Sequence, residues 1–152
     1  MKNYFKTTAI CATAVLAMNA TVEAYVPPPD VYVVFFSADW CGPCQILQPK
    51  LEEALRRLGD PKIEYLNIDI TGGRNANYNA NAVFDRGIVS QYNNWLGVTG
   101  FAAIIDGDTK NTLGCVNITY DTASMASHID NLKSLAKNNQ RSIDLTLSLI
   151  HI

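Results

Sequence analysis

The stretch VYVVFFSADWCGPC, at residues 31–44, decides the fold that this sequence predicts. Its first part, Val31–Phe36, is continuously β-branched and aromatic, which is typical of a strand buried on both faces in the centre of an α/β sheet. The residues from Gln45 to Leu58 carry apolar side chains at helical spacing, so a helix should follow the second cysteine. A strand that turns directly into a helix places Cys41 at the N-terminus of that helix.

Cys41 and Cys44 form the candidate chemical site, because two cysteines with two residues between them can close as a disulfide. Unpaired backbone N–H groups and the positive end of the helix dipole favour a thiolate at a helix N-terminus. The thiolate is the nucleophile of thiol–disulfide exchange, so this placement predicts redox chemistry on cysteine. An inert structural disulfide or half a zinc site is the alternative. Zinc normally needs four ligands, and only Cys115, His128 and the tail residue His151 could add to the pair, so we expect no metal and no cofactor.

Composition indicates one globular domain. The chain has 152 residues, of which 48% are hydrophobic and 17% are charged, so intrinsic disorder is not expected. The formal net charge of −2 and the absence of a basic cluster in the sequence argue against nucleic acid as a partner.

Residues 1–24 have the features of a secretory signal peptide. Lys2 and Lys6 supply a positive start, and the apolar stretch Thr7–Met18 follows them. Small residues at the −3 and −1 positions predict cleavage after Ala24. A dozen apolar residues are too few to span a bilayer comfortably, so an uncleaved N-terminal anchor is the less favoured alternative.

The remaining chain divides into a proline-rich lead-in at residues 25–30, one domain at residues 31–137 and a tail at residues 138–152. After the first strand and helix, the predicted elements are a strand at Lys62–Asp69, an asparagine-rich surface loop at residues 71–81 and a helix capped by Asn81 that runs to Trp95. A strand within Gly100–Asp106, a returning strand at Thr112–Ile118 and a last helix capped by Asp121 or Thr122 follow. A turn signal at Asp106–Asp108 joins the last two strands as a hairpin. This order predicts a mixed sheet of about four strands flanked by helices.

Cys115 is the one cysteine of the domain outside the pair. It lies between Gly114 and Val116 in an apolar strand, so we expect a buried free thiol, with a regulatory or intermolecular thiol as the alternative.

The tail after residue 137 fits no element of this arrangement. We interpret its last six residues, Leu147–Ile152, as an artefact, because they match the translation of a transposon-end adapter used in preparing DNA libraries. The alternative is an extra strand in which apolar residues alternate from Ile143 to Leu149.

Residues 31–137 resemble the thioredoxin family. The stretch from Val33 to Cys44 is similar to its active-site strand and turn, Leu66–Asp69 to its next strand, and Gly97–Ala102 to the segment that faces the active site. The resemblance implies a three-layer α/β sandwich. It also implies that Cys41 is the attacking thiol and Cys44 the resolving thiol. The residues that would shape the site are Trp40, Gly42, Pro43 and Ala102.

The sequence departs from the family pattern at three supporting positions. Phe35 stands where the family often has a buried aspartate, and Tyr65 where a lysine often neighbours it. Ala102 occupies the position of the family's cis-proline, so we expect a trans peptide bond there. Only six residues separate the predicted cleavage site from the active-site strand, so the family's leading strand and helix are expected to be absent.

These features together predict an exported thiol–disulfide oxidoreductase, periplasmic or secreted, which reduces or exchanges protein disulfides through Cys41 and Cys44. Its expected partners are protein thiols and disulfides and a membrane electron donor, and we expect a monomer. The alternative is a binding or accessory module of the same fold with little turnover, which the substitutions Phe35 and Ala102 favour. A net oxidant is a third possibility.

Overall fold

A computed structural model describes residues 27–149, and the side chains of residues 27–139. Its centre is a four-stranded mixed sheet with the strand order β2-β1-β3-β4. The strands are β1 (Val31–Ser37), β2 (Ile63–Asp69), β3 (Phe101–Asp106) and β4 (Thr112–Asn117). β1 pairs with β2 in parallel and with β3 antiparallel, and β3 and β4 form the predicted hairpin. The predicted fold class, a mixed sheet flanked by helices, is confirmed.

Helices cover both faces of this sheet. They are α1 (Gly42–Leu58), α2 (Ala76–Asp85), α3 (Val89–Trp95) and α4 (Thr122–Leu149), with one turn of 3₁₀ helix at Gly73–Asn75. Apolar side chains of α1 and α4 pack on one face, and those of α2 and α3 pack on the other. The arrangement is a three-layer sandwich.

β1 lies between β2 and β3 in the sheet, and every one of its residues is buried. Val31, Val33 and Phe35 contribute to the cluster beneath α1 and α4. Tyr32 and its alternate neighbours contribute to the cluster beneath α2 and α3. A strand buried on both faces needs apolar residues at every position, which explains the uninterrupted apolar run.

The predicted loop at residues 71–81 is wrong for its second half. Helix α2 begins at Ala76 rather than after a cap at Asn81, and Asn79 is buried within it. The Asn79 side-chain amide donates to the main-chain oxygen of Asp69 at 2.8 Å, and the Asn75 amide donates to the Asp69 carboxylate at 2.6 Å. These tertiary hydrogen bonds override the low helix propensity of asparagine. Gly87, with φ +67°, lies between α2 and α3 and interrupts the predicted single helix.

The last helix is longer than the sequence pattern predicted. Asp121 caps it, since its carboxylate accepts the Ser124 N–H at 2.8 Å. The helix continues to Leu149, so the alternative of an extra strand between Ile143 and Leu149 is wrong.

The prediction that Cys115 is buried is also wrong. Cys115 is exposed, whereas its neighbour Val116 is fully buried. β4 lies at one edge of the sheet, and its alternate residues face opposite sides. Val116 faces the core beneath α1 and α4, and Cys115 lies on the other face, where the edge strand has little cover.

The predicted signal peptide at residues 1–24 lies outside the described residues, as do the positions where a leading strand and helix would be sought. Within the part of the chain that the structure describes, no helix is both long enough and apolar enough to cross a membrane.

Candidate active site

The two cysteines lie where the sequence placed them, at the junction of β1 and α1. Helix α1 begins at Gly42, so Cys41 is its N-cap, and Pro43 falls in the first turn, where a missing N–H has no cost. Cys41 and Cys44 are joined by a disulfide, with a Cα–Cα distance of 5.3 Å. The main-chain N–H of Cys44 donates to Cys41 Sγ at 3.1 Å. The helix start therefore directs a hydrogen-bond donor at the sulfur that would carry negative charge in the reduced state.

Access to this disulfide is narrow. Only 4% of Cys41 and 3% of Cys44 is exposed, while the neighbouring Trp40 is 66% exposed. Gly42 and Pro43 form the exposed surface of the first turn. A partner that reached Cys41 would have to contact this turn and the Trp40 ring.

Gly100 is a site residue that sequence reasoning did not single out. Its φ is +86°, and a Cβ added there would lie 3.1 Å from Pro43 Cβ and 3.6 Å from Cys41 Sγ. Its N–H donates to the main-chain oxygen of Phe36 at 3.0 Å, and Cys44 Sγ lies 3.7 Å from that same oxygen. Glycine is required here by both the backbone conformation and the close approach to the cysteine pair. Its position inside a predicted loop-to-strand junction was the available signal.

Ala102 and Phe35, two of the departures noted above, lie opposite each other in neighbouring strands. Both are fully buried and belong to the same apolar cluster as Cys41 and Cys44. All peptide bonds between the described residues are trans, including the bond before Ala102, as expected. Tyr65, at the third departure, packs against that cluster, and burial raises the pKa of its hydroxyl to about 12, so this group is neutral.

A polar recess lies behind Cys44. Its volume is about 260 Å³, and it is lined by Ser37, Ala38, Asp39, Cys44, Gln45, Gln48, Asn67 and Asp69. The Ser37 hydroxyl donates to Asn67 Oδ1 at 2.6 Å across the β1–β2 pair. Register brings these groups together, because β1 and β2 are parallel and Ser37 pairs with Asp69. The sequence signal for this recess was the presence of two polar residues, Ser37 and Asn67, on the face of β1 and β2 that packs beneath α1.

Asp69 is the most heavily hydrogen-bonded carboxylate of this recess. It accepts hydrogen bonds from the side chain and main chain of Thr71 and from the Asn75 amide. These bonds hold the pKa of Asp69 below its ordinary value, the side-chain bond from Thr71 being the largest cause. Asp69 is therefore a fixed negative charge with a structural role at the end of β2.

Among residues 27–139, no group of three or more His, Cys, Asp or Glu side chains is arranged to hold a metal ion. His128 and Cys115, the distant candidates for a zinc site, do not join the cysteine pair in any such group.

The fold and the cysteine pair at a helix N-terminus define a thioredoxin-like protein with a Cys-X-X-Cys disulfide. Residues 14–83 match the family model described as Thioredoxin. This match and the relatives below make the matched part of the chain similar to thioredoxins.

Three curated relatives show the extent of the similarity. The chain is 35% identical over 77 residues to Probable thioredoxin-2 of Caenorhabditis elegans, which covers 50% of this chain and 51% of that protein. It is 38% identical over 52 residues to Thioredoxin-T of Drosophila melanogaster, covering 34% and 33% of the two chains. It is 37% identical over 51 residues to a protein disulfide-isomerase of Aspergillus oryzae, covering 34% of this chain and 10% of that one. The chain thus spans about half or less of the length of these relatives.

Solved structures of thioredoxins are also similar. The match to a malaria parasite thioredoxin-2 covers 70% of this chain and 86% of the parasite chain, with 15% sequence identity and a TM-score of 0.47. Thioredoxin O2 of Arabidopsis thaliana, in the oxidized state, covers 68% and 75%, at 21% identity and a TM-score of 0.42.

Proposed function

We propose that this protein is a thiol–disulfide oxidoreductase that reduces or exchanges protein disulfides through Cys41 and Cys44. One observation carries the proposal: the two cysteines are paired at the N-terminus of α1, where the Cys44 N–H donates to Cys41 Sγ. A thiolate at Cys41 in the reduced protein gains this hydrogen bond and the positive end of the helix dipole. An inert structural disulfide would have no need of either.

The reaction balances as an exchange of two electrons and two protons. The Cys41 thiolate attacks one sulfur of a substrate disulfide, and the other sulfur leaves as a thiolate. Cys44 then loses its proton and attacks Cys41 Sγ, which breaks the mixed disulfide and releases the second substrate thiol. The substrate gains two thiols, and the protein is left with the Cys41–Cys44 disulfide seen in the structure.

Turnover needs a source of electrons that returns the Cys41–Cys44 disulfide to two thiols. We propose that the protein is exported, because residues 1–24 carry the charge and apolar pattern of a signal peptide. Outside the cytoplasm a membrane protein is the expected electron donor, and the protein would work as a monomer. Expression with a C-terminal tag, fractionation and mass measurement test the location. A tagged chain of full length in the cytoplasm would contradict it.

Replacing Cys41 by serine is expected to abolish the reduction of insulin by dithiothreitol-recycled protein, because the serine hydroxyl is not ionised near neutral pH and cannot attack a disulfide. Precipitation of the insulin B chain measures the rate. Cys115→Ser is the matched control, since it removes an exposed thiol outside the site and should keep the wild-type rate. Equal rates for wild type and Cys41→Ser would contradict the proposed function.

A second candidate function is a binding or accessory module with little turnover. The small exposed fraction of both cysteines and the apolar replacement at Phe35 favour it. A wild-type rate no greater than that of Cys41→Ser, together with a disulfide that resists dithiothreitol, would support this reading.

A further inference from the structure

The resolving step places a demand on the surroundings of Cys44 that the cysteine pair alone does not meet. Cys44 is 3% exposed, and its sulfur must become an anion before it can attack Cys41. Burial disfavours that anion unless a donor stabilises it. On the sheet beneath it, the position where the family often has an acid is Phe35, which is fully buried and apolar.

The polar recess behind Cys44 supplies a donor of another kind. Asn67 lines the recess together with Cys44, and its Oδ1 accepts the Ser37 hydroxyl at 2.6 Å. That bond uses the carbonyl end of the amide. Within residues 27–139 the Asn67 NH₂ group donates no hydrogen bond, so it is available as a donor.

We propose that Asn67 is a catalytic residue, positioned by Ser37, that donates an amide N–H to the Cys44 sulfur as that sulfur loses its proton in the resolving step. The inference rests on the proposed function and adds a residue to it. The proton leaves through the recess to solvent, the Cys44–Cys41 bond forms, and the Cys41–substrate bond breaks with the electron pair on the leaving thiolate. The amide itself keeps its protons.

The charged and titratable groups around Cys44 are consistent with a neutral donor. Asp69 and Asp39 line the recess, and both are acids. Hydrogen bonds hold the pKa of Asp69 below its ordinary value, and Asp39 is exposed, so neither is a buried acid poised to take a thiol proton. Other residues share the buried cluster of Cys44. They include Cys41 at the start of α1, Ala102 in β3, which has no titratable group, and Met125 in α4, which is apolar. Asn67 is thus the group suited to stabilise the anion.

The reaction of reduced protein with an aromatic disulfide such as dithiobis-nitrobenzoate separates the two steps. The first coloured thiolate is released when Cys41 attacks, and the second is released when Cys44 resolves the adduct. In a Cys115→Ser background, Asn67→Leu is expected to leave the first phase unchanged and to slow the second about tenfold near pH 7, the usual worth of a hydrogen bond to a charged group. The inflection of the second phase should move up by about one pH unit, so the two rates should converge at high pH.

Two variants keep the test decisive. Ser37→Ala, which removes only the group that orients the amide, should slow the second phase by a smaller factor and in the same pH-dependent way. Gln45→Leu removes an exposed polar group of the same recess and should change neither phase. An Asn67→Leu protein whose second phase matches wild type across the pH range, or is slowed equally at every pH, would overturn the inference. Absence of any first phase in the parent protein would instead overturn the proposed function.

Discussion

Replacing Cys44 by serine is expected to turn the protein into a trap for its substrates. Serine at this position keeps the main-chain N–H that donates to Cys41 Sγ, so the attacking thiolate remains stabilised. The adduct between Cys41 and a substrate sulfur then forms but has no internal thiol to resolve it. We expect insulin reduction below about one hundredth of the wild-type rate, because release then depends on external thiols.

Electrophoresis without reductant and mass measurement of the adduct provide the readout for Cys44→Ser. The experiment belongs in a Cys115→Ser background, because the exposed Cys115 thiol could form adducts of its own. The matched control is Cys41→Ser, which should form no adduct, since the remaining Cys44 sulfur lacks the main-chain N–H donor that the helix start directs at Cys41 Sγ. If Cys41→Ser captured substrate and Cys44→Ser did not, the two roles would be exchanged.

Among the charged residues that are at least partly exposed, Lys133 is expected to give the largest loss of stability when it is replaced by methionine. Lys133 Nζ donates to the Asp60 carboxylate and lies 3.8 Å from Asp30 Oδ2. The Lys133 side chain is 11% exposed and that of Asp30 is 13% exposed. Removing the Lys133 ammonium leaves the carboxylates of Asp30 and Asp60, which are poorly exposed to water, without a cation that is equally close and equally buried. We expect a loss of about 2–4 kcal/mol in the free energy of unfolding, which urea denaturation of the oxidised protein measures.

Lys137→Met is the matched control, because Lys137 also lies 3.8 Å from Asp30 Oδ2 but is 52% exposed. Its loss should cost less than about 1 kcal/mol. The double variant Lys133→Met with Asp60→Asn should recover part of the stability, since it removes an unpaired charge. Equal losses of unfolding free energy for Lys133→Met and Lys137→Met would contradict the prediction that the ion pair of Lys133 contributes more to stability than that of Lys137.

The pH dependence of this pair follows from its pKa shifts. The hydrogen bond from Lys133 lowers the pKa of Asp60 below 3.8, so the stabilisation is complete above that value and is lost as the pH falls through the folded-state pKa. The bond to Asp60 raises the pKa of Lys133 above 10.5, so the stabilisation is complete below that value and is lost as the pH rises through the folded-state pKa. The difference in stability between wild type and Lys133→Met should therefore be constant near neutral pH and shrink in acid.

The elements that the sequence predicted well are those fixed by short-range chemistry. The apolar run Val31–Phe36 and the helical stripe after Cys44 each carry one strong periodicity, and both elements are present. The hairpin signal at Asp106–Asp108 also predicted the antiparallel pairing of the last two strands. Boundaries were less reliable in the asparagine-rich segment, because its helix is stabilised by hydrogen bonds to β2 that local propensity does not contain.

What the sequence by itself determined is the position of the cysteine pair, since Cys41 and Cys44 lie within one turn and the strand-to-helix change is local. Tertiary structure alone decided which groups surround that pair. Strand pairing brings Gly100 close to Cys41 and places Asn67 in the recess that Cys44 also lines, and Lys133 reaches Asp60 across 73 positions of sequence. Strand register and helix packing set these distances, and they depend on the whole core rather than on any one segment. Tertiary structure also decided that Cys115 is exposed, because it lies in the edge strand β4 and edge strands are covered only where a helix lies over them.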